Sequence, residues 1–370
     1  MLPVNQPLLD GREKELLIEC IESGWISSDG PHIKKFEDGF AQFIGVTHGV
    51  AVSNGTAALE AALFALDLNE GDEVIMPSFT IISCAIAALR FSAKPVLVDI
   101  EPDTWNIDVD LIESKITPRT KAIMAVHMYG HPCDLDPILA LAKKHNLKVI
   151  EDASQVHGAL YKGKLCGSIG HISTFSFYAN KILTTGEGGM VMTSDNNLAD
   201  RARSYRNLCF RPERRFYHTE IGNNLRMTNM QAALGVAQLE RIDKFVEIKR
   251  INGFRYHELL DQIPGVKTQL EMPWAKMVYW MYCIELDEST GCDAKKMMTE
   301  LSARGVGTRP FFLGLHEQPI LLARGWYERE HYPVTERAAR QGLYLPSSLN
   351  LAETDILYVV EQVADILLNI

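Results

Sequence analysis

The feature that most constrains the fold is an alternation of short apolar runs with helical patterns between residues 45 and 200. Val50–Val52 is typical of a strand, and the apolar residues of the segment 58–66 then recur at helical spacing. Parallel strands need crossover connections, most often helices, so this rhythm predicts an α/β fold with a mostly parallel central sheet flanked by helices. Further apolar runs that fit strands of this sheet lie at residues 72–77, 95–99, 121–126 and 148–152.

The C-terminal third of the chain has a different organisation. Two predicted strands, at residues 279–284 and 306–312, flank a single helical segment, and so few strands cannot complete a large parallel sheet. A chain of 370 residues is long enough for two domains. We therefore predict a large domain over residues 1–250 and a small C-terminal α+β domain over 251–370, with residues 1–30 a candidate to pack against the small domain.

Charge and cysteine content narrow the function class. The chain has 37 Lys and Arg against 47 Asp and Glu, a formal net charge of -10, which argues against nucleic acid or an anionic membrane as a partner. The seven cysteines include no C-x-x-C pair, so reduced thiols are expected rather than a disulfide framework or a zinc ribbon. The N-terminus lacks the pattern of a signal peptide and no stretch is apolar enough for a membrane span, so we predict a cytoplasmic protein.

A candidate anion site lies at Ser53–Thr56, where a predicted strand passes into a helix. Backbone N–H groups and the positive end of the helix dipole point outward together at such a junction, which suits a phosphate. The alternative is a helix cap and turn without a ligand, because Ser, Asn and Thr cap helices in many proteins.

Two further residues have the chemistry of a catalytic site. Asp152 closes an apolar strand, at the sheet edge where open α/β proteins bind ligands, and its carboxylate could hold a protonated ring nitrogen or only cap the following turn. Lys181 lies in an aromatic, Gly-rich segment, where desolvation would lower its pKa and make it a nucleophile able to form a Schiff base. A surface ion pair with Glu187 is the alternative for this lysine.

Three other patterns are weaker than they look. Gly158–Lys164 has P-loop spacing, but Leu165 replaces the hydroxyl residue that would hold magnesium, and the segment is better interpreted as a hairpin with a Lys-Gly turn. His127 and His131 are separated by residues that break a helix, so we predict no metal site there. The dinucleotide fingerprint G-x-G-x-x-G is absent.

Taken in order, the motifs resemble the DegT/DnrJ/StrS family of pyridoxal-phosphate (PLP) sugar aminotransferases, which have the fold-type I aminotransferase architecture. The resemblance spans nearly the whole chain, and eight motifs in one order are far more specific than any one of them. The segments that carry it are Gly24–Ser27, Ser53–Leu59, Pro77–Thr80, Val126–Gly130, Glu151–Gln155, Lys181–Gly189, Arg226–Asn229 and Arg309–Phe312 with Leu315–His316.

The resemblance implies roles for individual residues. Lys181 would bind the cofactor covalently and Asp152 would pair with its pyridinium nitrogen. A homodimer with shared active sites is also implied, in which Asn224, preferred over Asn223, reaches the phosphate of the neighbouring subunit. The remaining residues implied to contact the cofactor are Gly55, Thr56 and Ser176 at the phosphate, Gln155 at the phenolic oxygen and Phe79 on the ring; those implied to contact the substrate are Trp25, Ser27, Arg309, Phe311 and His316.

The implied reaction is transfer of an amino group from L-glutamate to the 4-keto carbon of a nucleotide-linked 4-keto-6-deoxyhexose. The segments 206–210, 215–218 and 308–312 look most like those of the GDP-perosamine synthase branch, which favours GDP-4-keto-6-deoxymannose as the acceptor. A dTDP- or UDP-linked sugar, a 3-keto sugar, and a non-catalytic regulator that keeps the fold stay open as alternatives. The family's dehydratase branch has histidine at the position of Lys181, so lysine here favours transfer.

Overall fold

A computed structural model of the chain describes residues 1–211 and 213–369. Its helices are α1 (Glu13–Ser23), α2 (Pro31–Ile44), α3 (Gly55–Ala65), α4 (Ser83–Arg90), α5 (Val109–Ile112), α6 (Leu135–His145), α7 (Asn196–Arg206), α8 (Asn229–Leu239), α9 (Ile242–Leu260), α10 (Ala294–Ala303), α11 (Pro319–Leu322), α12 (Pro333–Gln341) and α13 (Glu353–Leu368). Its strands are β1 (His48–Val52), β2 (Glu73–Pro77), β3 (Lys94–Val98), β4 (Thr120–Val126), β5 (Lys148–Asp152), β6 (Leu160–Tyr161), β7 (Lys164–Leu165), β8 (Ile172–Ser176), β9 (Gly189–Thr193), β10 (Val266–Thr268), β11 (Ala275–Lys276), β12 (Tyr282–Leu286), β13 (Arg309–Pro310) and β14 (Gly342–Leu345).

The large sheet has seven strands in the order β1-β9-β8-β5-β4-β2-β3. The pairs β2–β3, β2–β4, β4–β5 and β5–β8 are parallel, whereas β9 runs antiparallel to both of its neighbours. The predicted α/β fold with a mostly parallel sheet is therefore confirmed. Because β9 is antiparallel to both β1 and β8, strands β1 and β8 run in the same direction. The carboxyl ends of β1, β5 and β8 therefore lie at one edge of the sheet, which is where the candidate site forms.

Helices cover both faces of this sheet, so its central strands are apolar along their whole length. Every residue of β2 and of β9 is buried. Helix α3 packs against α4 and α7 and is built largely of alanine, whose small side chains allow it to lie close to the sheet. All seven cysteines are unpaired and buried.

The smaller unit has its own antiparallel sheet, in the order β10-β12-β14-β13, and its own apolar core. The predicted domain boundary at residue 250 falls inside α9. Phe245 in the first half of α9 packs on the main core, and Tyr256 in the second half packs on the smaller one. A continuous helix, rather than a flexible linker, therefore joins the two units, and the exact division stays a prediction.

Two predicted strands of the small unit are shorter than expected. The strand predicted at 279–284 begins only at Tyr282, because Tyr279 has a left-handed backbone with φ 45° that interrupts an extended chain. The strand predicted at 306–312 is reduced to Arg309–Pro310. Its first residues pair instead with the N-terminus, since Val306 bridges to Leu2 and the Gly307 N–H donates to the Leu2 carbonyl at 2.8 Å.

The N-terminal segment belongs to both units. Its first residues lie against the small unit, where the Ser347 N–H donates to the Val4 carbonyl at 2.8 Å and the Gln6 N–H donates to Ser348 Oγ at 2.8 Å. Helix α1, in contrast, packs on α8 of the large unit. Among the helices of the described residues, none combines the length and apolar character needed to cross a membrane.

The hairpin predicted in place of a P-loop is confirmed. Strands β6 and β7 pair antiparallel, and the turn residues Lys162 and Gly163 both have positive φ, of 47° and 80°. Two consecutive positive φ values are typical of a tight hairpin turn and explain the Lys-Gly pair.

Candidate active site

A cavity of about 840 Å³ opens at the edge of the large sheet where β1, β5 and β8 end. The large unit supplies the segment Ser53–Ala57, the residues after β5 and the loop of Lys181. The small unit closes the opposite wall with Trp280, Phe312 and Tyr344. The site therefore lies between the two units, at the carboxyl edge of the strands, where open α/β sheets bind ligands.

One end of the cavity is an anion cradle at the start of α3. Asn54 caps the helix by accepting the Ala57 N–H at 2.8 Å, which leaves the first N–H groups of the helix directed at the cavity. A Cβ on Gly55 would lie 2.8 Å from Ser176 Cβ, so only glycine fits between the helix and the end of β8. Thr56 Oγ1 donates to Ser83 Oγ at 2.9 Å and joins this cradle to α4.

Asp152, the last residue of β5, lines the cavity with a side chain that is only 3 % exposed. Its Oδ1 accepts the Ser154 N–H at 3.1 Å, and its Oδ2 accepts the thiol of Cys84 at 3.4 Å. These two donors fix the plane of the carboxylate. A buried carboxylate held in this way can bind a protonated heterocyclic nitrogen.

Lys181 lies in a turn after β8, where its backbone N–H donates to the Tyr178 carbonyl at 2.9 Å. Its Nζ lies 3.6 Å from the centre of the Trp280 ring. Desolvation by the surrounding protein lowers the pKa of Lys181 to about 7, and the charge of Asp152 opposes this shift. At neutral pH a large fraction of this amine is uncharged and nucleophilic. The alternative for this lysine, an ion pair with Glu187, does not form, because the amine lies over the Trp280 ring and interacts with the charge of Asp152.

Gln155 is 4 % exposed and also lines the cavity. Its Oε1 accepts the Tyr129 N–H at 2.7 Å, which fixes the orientation of the amide. The amide NH₂ is therefore oriented so that it could donate to a bound oxygen atom, which is the role that the resemblance implies.

Several predicted site residues do not reach the cavity. Phe79 is fully buried behind the cavity wall, and the centre of its ring lies 5.5 Å from that of Phe311 and 6.1 Å from that of Phe312. Ile81, two residues further on, lines the cavity instead. Phe311 belongs to the same buried aromatic cluster. Arg309 is exposed on the edge strand β13 and lies outside the lining.

His316 is also buried away from the cavity. Ser78 Oγ lies 2.7 Å from its Nδ1, and Glu336 Oε1 lies 3.3 Å from its Nε2. Burial lowers the pKa of this histidine. Its contacts join the end of β2 to α12, so in the single chain it connects the two units rather than facing a ligand.

Trp25, Ser27 and Asn224 lie on an outer face of the chain and are exposed. The side chain of Asn223 lines the chain's own cavity, whereas Asn224 Oδ1 accepts Arg226 Nε at 2.8 Å. This face also has a cavity of about 520 Å³ that is rich in arginine. The arginines that line it are Arg203, Arg206, Arg211, Arg215 and Arg226.

His127 belongs to a buried polar cluster with Glu151 and Cys166, whose ligand atoms lie within 4.8 Å of one another. His127 Nε2 is 3.2 Å from Glu151 Oε2, and its Nδ1 accepts the Cys133 N–H at 2.9 Å. Glu151 also accepts three backbone N–H groups, from residues 167, 169 and 170. These bonds already satisfy both the histidine and the carboxylate, and they hold the loop between β7 and β8.

Sequence reasoning missed the cavity residues that come from the small unit and from the loops. Ile81 and Tyr178 had no chemical signature, and Trp280 lay in an apolar run that looked like an ordinary strand. Phe312 and Tyr344 reach the cavity only through the packing of the small sheet against the large one. An aromatic residue in an apolar run gives no sign of its partner across 100 residues of sequence.

The residues present fit PLP. A glycine-lined helix start suits the phosphate, a fixed carboxylate suits the ring nitrogen, and an amine with a pKa of about 7 suits the aldehyde. Fold and site together define a fold-type I aminotransferase that depends on PLP. The chain belongs to the DegT/DnrJ/EryC1/StrS aminotransferase family, whose profile matches residues 7–364.

Known proteins support this assignment over the full length. A GDP-perosamine synthase from Caulobacter vibrioides is 42% identical over 368 residues, covering 99% of this chain and 98% of that protein. A GDP-perosamine synthase from Vibrio cholerae is 38% identical over 356 residues, covering 96% of each. The crystal structure of the aminotransferase TlmJ from Streptoalloteichus hindustanus superposes with a TM-score of 0.92 at 32% identity, covering 100% of this chain and 99% of that one. The predicted family, fold and cofactor are thus confirmed.

Proposed function

We propose that this enzyme transfers the amino group of L-glutamate to the 4-keto carbon of GDP-4-keto-6-deoxymannose, giving GDP-perosamine. The observation that carries the proposal is the meeting of Lys181, Asp152 and the Gly55–Thr56 cradle around one cavity, in a chain whose full-length relatives include GDP-perosamine synthases. The buried, unpaired cysteines favour a reducing compartment, so we place the enzyme in the cytoplasm.

In this proposal each residue holds one part of the cofactor. The N–H groups at the start of α3 and the hydroxyl of Ser176 would bind the phosphate, and the amide of Gln155 would donate to the phenolic oxygen. Asp152 keeps the ring nitrogen protonated. Ile81, rather than Phe79, contacts the ring, because Ile81 lines the cavity and Phe79 is buried behind it.

PLP, when bound, accepts the electron pair that is left on the donor's α-carbon when its proton is removed. Lys181 would hold the cofactor through its Nζ until the donor amine takes its place. Its free Nζ next moves the proton from the donor's α-carbon, as a general base whose pKa lies near neutrality. The donor would leave as its 2-keto acid, and in the second half-reaction the same amine would deliver a proton to the sugar carbon that takes the amino group.

We further propose a homodimer in which Asn224 of each subunit completes the phosphate site of the other. Its support is that Asn224 is exposed and held by Arg226 on a face that turns away from its own cavity. The arginine-lined cavity on that face would bring positive charge to the diphosphate of the nucleotide sugar, which the net charge of -10 cannot provide as a general attraction.

The test of cofactor attachment is borohydride reduction of the PLP-loaded protein followed by peptide mass spectrometry. We expect the reduced cofactor on Lys181 and none in the Lys181→Ala variant. Lys162→Ala, which changes an exposed lysine of the β6–β7 turn, is the matched control and should label as the parent protein does. A label on any other lysine would overturn the assignment of Lys181.

The test of the substrate is a panel of nucleotide-linked 4-keto and 3-keto sugars with L-glutamate as donor, with product structure determined by NMR. We expect an amine at carbon 4 of the GDP-linked sugar, with the configuration of perosamine, and little product from the dTDP- or UDP-linked sugars. Amination at carbon 3, or preference for another nucleotide, would replace this acceptor and leave the aminotransferase assignment in place. A PLP-loaded protein that glutamate does not convert would favour the non-catalytic alternative.

A further inference from the structure

Lys249, in the middle of α9, is a buried lysine outside the cavity. Its side chain is 2 % exposed, and its Nζ donates to two main-chain carbonyls, those of Trp280, at 2.8 Å, and Ser347. Burial lowers the pKa of Lys249 to about 7, and a lysine amine can donate to two acceptors in either protonation state. Burying an amine costs free energy unless the amine is hydrogen-bonded, and here its two hydrogen bonds hold two backbone segments together.

One of these two segments, the one that contains Trp280, contacts Lys181. The indole N–H of Trp280 donates to the Asn180 carbonyl at 2.7 Å, and the face of the indole lies 3.6 Å from Lys181 Nζ. The Asn180 carbonyl also accepts Asn5 Nδ2 at 2.6 Å. Trp280 thus touches both ends of Lys181, its amine directly and its backbone through the preceding peptide.

We propose that Trp280 and Lys249 are positioning residues for Lys181: Lys249 fixes the backbone of Trp280, and the Trp280 indole fixes the amine and the peptide of Lys181. The contacts form a continuous chain from α9 to the amine. An aromatic face 3.6 Å away favours the charged form of that amine, so Trp280 also opposes the effect of desolvation. This inference rests on the proposed role of Lys181, but it concerns residues that meet in the chain whether or not cofactor is bound.

The alternative is that Lys249 only stabilises the contact between the two units. A neighbouring residue distinguishes the two explanations. Tyr256, two turns further along α9, is equally buried and donates from its hydroxyl to the Pro346 carbonyl at 3.0 Å, one residue before Ser347. Tyr256→Phe therefore removes a hydrogen bond from the same helix to the same segment, and that bond does not involve Trp280.

The experiment compares Lys249→Met with Tyr256→Phe in the full-length protein without cofactor. The first readout is hydrogen exchange of the Trp280 indole N–H by ¹⁵N NMR, with the signal assigned by its loss in Trp280→Phe. The second is the pH midpoint for acetylation of Lys181 by trace acetic anhydride, read by mass spectrometry. Neither readout uses the sugar or the reaction, so a wrong substrate assignment leaves both intact.

Lys249→Met removes both hydrogen bonds of the amine, one of them to the Trp280 carbonyl. We expect exchange of the Trp280 indole N–H to be about tenfold faster, the effect of the one buried hydrogen bond that Trp280 loses, and the acetylation midpoint of Lys181 to fall. In Tyr256→Phe the exchange rate should stay within about twofold of the parent protein, and the acetylation midpoint should not change. Unchanged readouts in Lys249→Met, or equal changes in Tyr256→Phe, would overturn the proposal. If Lys249→Met does not fold, Trp280→Leu, which removes the aromatic face altogether, decides: an unaltered acetylation profile of Lys181 in that variant would also overturn the proposal.

Discussion

At the residue scale, the chemistry of the site depends on one amine whose environment differs from that of every surface lysine. Lys181 has a pKa of about 7 because protein replaces water around it, while Asp152 limits the shift. Desolvation disfavours the charged form, so the neutral, reactive form is populated at lower pH than in an ordinary lysine, whose pKa is ~10.4.

This environment sets a pH dependence. In the cofactor-free protein we expect the acetylation rate of Lys181 to rise through pH 7 and to level off above it, because the amine loses its proton in that range. Peptide mass spectrometry after brief reaction with acetic anhydride gives the rate, and Lys34, whose side chain is 80% exposed, is the internal reference. A Lys181 rate that still rises between pH 9 and 10 would contradict this prediction.

A second prediction concerns Gly55. In Gly55→Ala the new methyl group would lie 2.8 Å from Ser176 Cβ, so α3 or the end of β8 must move away from the phosphate. We expect PLP binding to weaken by about 10- to 100-fold, the usual range for overpacking at a tight site. Equilibrium titration of the cofactor-free protein measures this.

The matched control for Gly55→Ala is Gly39→Ala on α2. There the nearest atom to the new methyl is the flexible end of the Leu239 side chain, at 3.2 Å. PLP affinity should be unchanged in this variant. Equal losses in both variants would mean that the cradle is not the phosphate site.

At the element scale, α8 begins with a complete capping box. Thr228 Oγ1 accepts the Gln231 N–H at 3.2 Å, and Gln231 Oε1 accepts the Thr228 N–H at 2.9 Å. These reciprocal bonds fix the start of α8 beside Arg226 and the segment of Trp25, because the neighbouring Asn229 donates from its amide to the Trp25 carbonyl at 2.8 Å. The cap therefore shapes the outer face that carries Asn224.

Removing this cap has a predictable cost. We expect Thr228→Ala to destabilise the protein by about 1 kcal/mol and to lower Tm by about 1–3 °C in calorimetry. Thr299→Ala on α10 is the control, since the Thr299 hydroxyl only bonds back to the Lys295 carbonyl on an exposed face. That variant should match the parent protein or exceed it slightly, because alanine has the higher helix propensity. Similar losses in both would show that the box is not responsible.

Elements with a strong local pattern could be predicted from the sequence. The apolar runs at β2, β4 and β5 are buried on both faces, and their length and spacing are enough to indicate a parallel sheet. Asp152 could be placed because it is the last residue of β5, and the Gly55 turn because it closely follows the apolar strand β1. Phe79 could not, since the direction of a side chain just after a strand depends on the turn, and here residue 81 faces the cavity instead.

The small unit was harder to predict for a physical reason. Residues 279–281 are apolar enough for a strand, but they cross between the two cores, and the left-handed Tyr279 ends any regular pairing there. Val306 pairs with residue 2 instead of with the small sheet. Contacts between the start and the end of a chain leave no periodic trace in either segment.

At the scale of the whole molecule, the proposed dimer makes a quantitative prediction. Lys181→Ala and Asn224→Ala should each be nearly inactive alone, and mixing them with subunit exchange should recover about a quarter of the parent activity, since half of the dimers are mixed and each has one intact site. Exchange is verified separately by mass spectrometry of isotope-labelled subunits. If exchanged mixtures stay inactive, Asn224 does not act on the neighbouring subunit.

The contacts of the first six residues have a consequence for how the protein is made. Asn5 bonds to the peptide before Lys181, 175 residues later, and Gln6 bonds to Ser348, 342 residues later. During synthesis Asn5 and Gln6 emerge well before their partners beside Lys181 and in the small unit. The nascent chain therefore cannot close the cleft around Lys181 until the small unit has also left the ribosome, and a chain terminated before that unit would expose the unfinished cleft to chaperones and proteases.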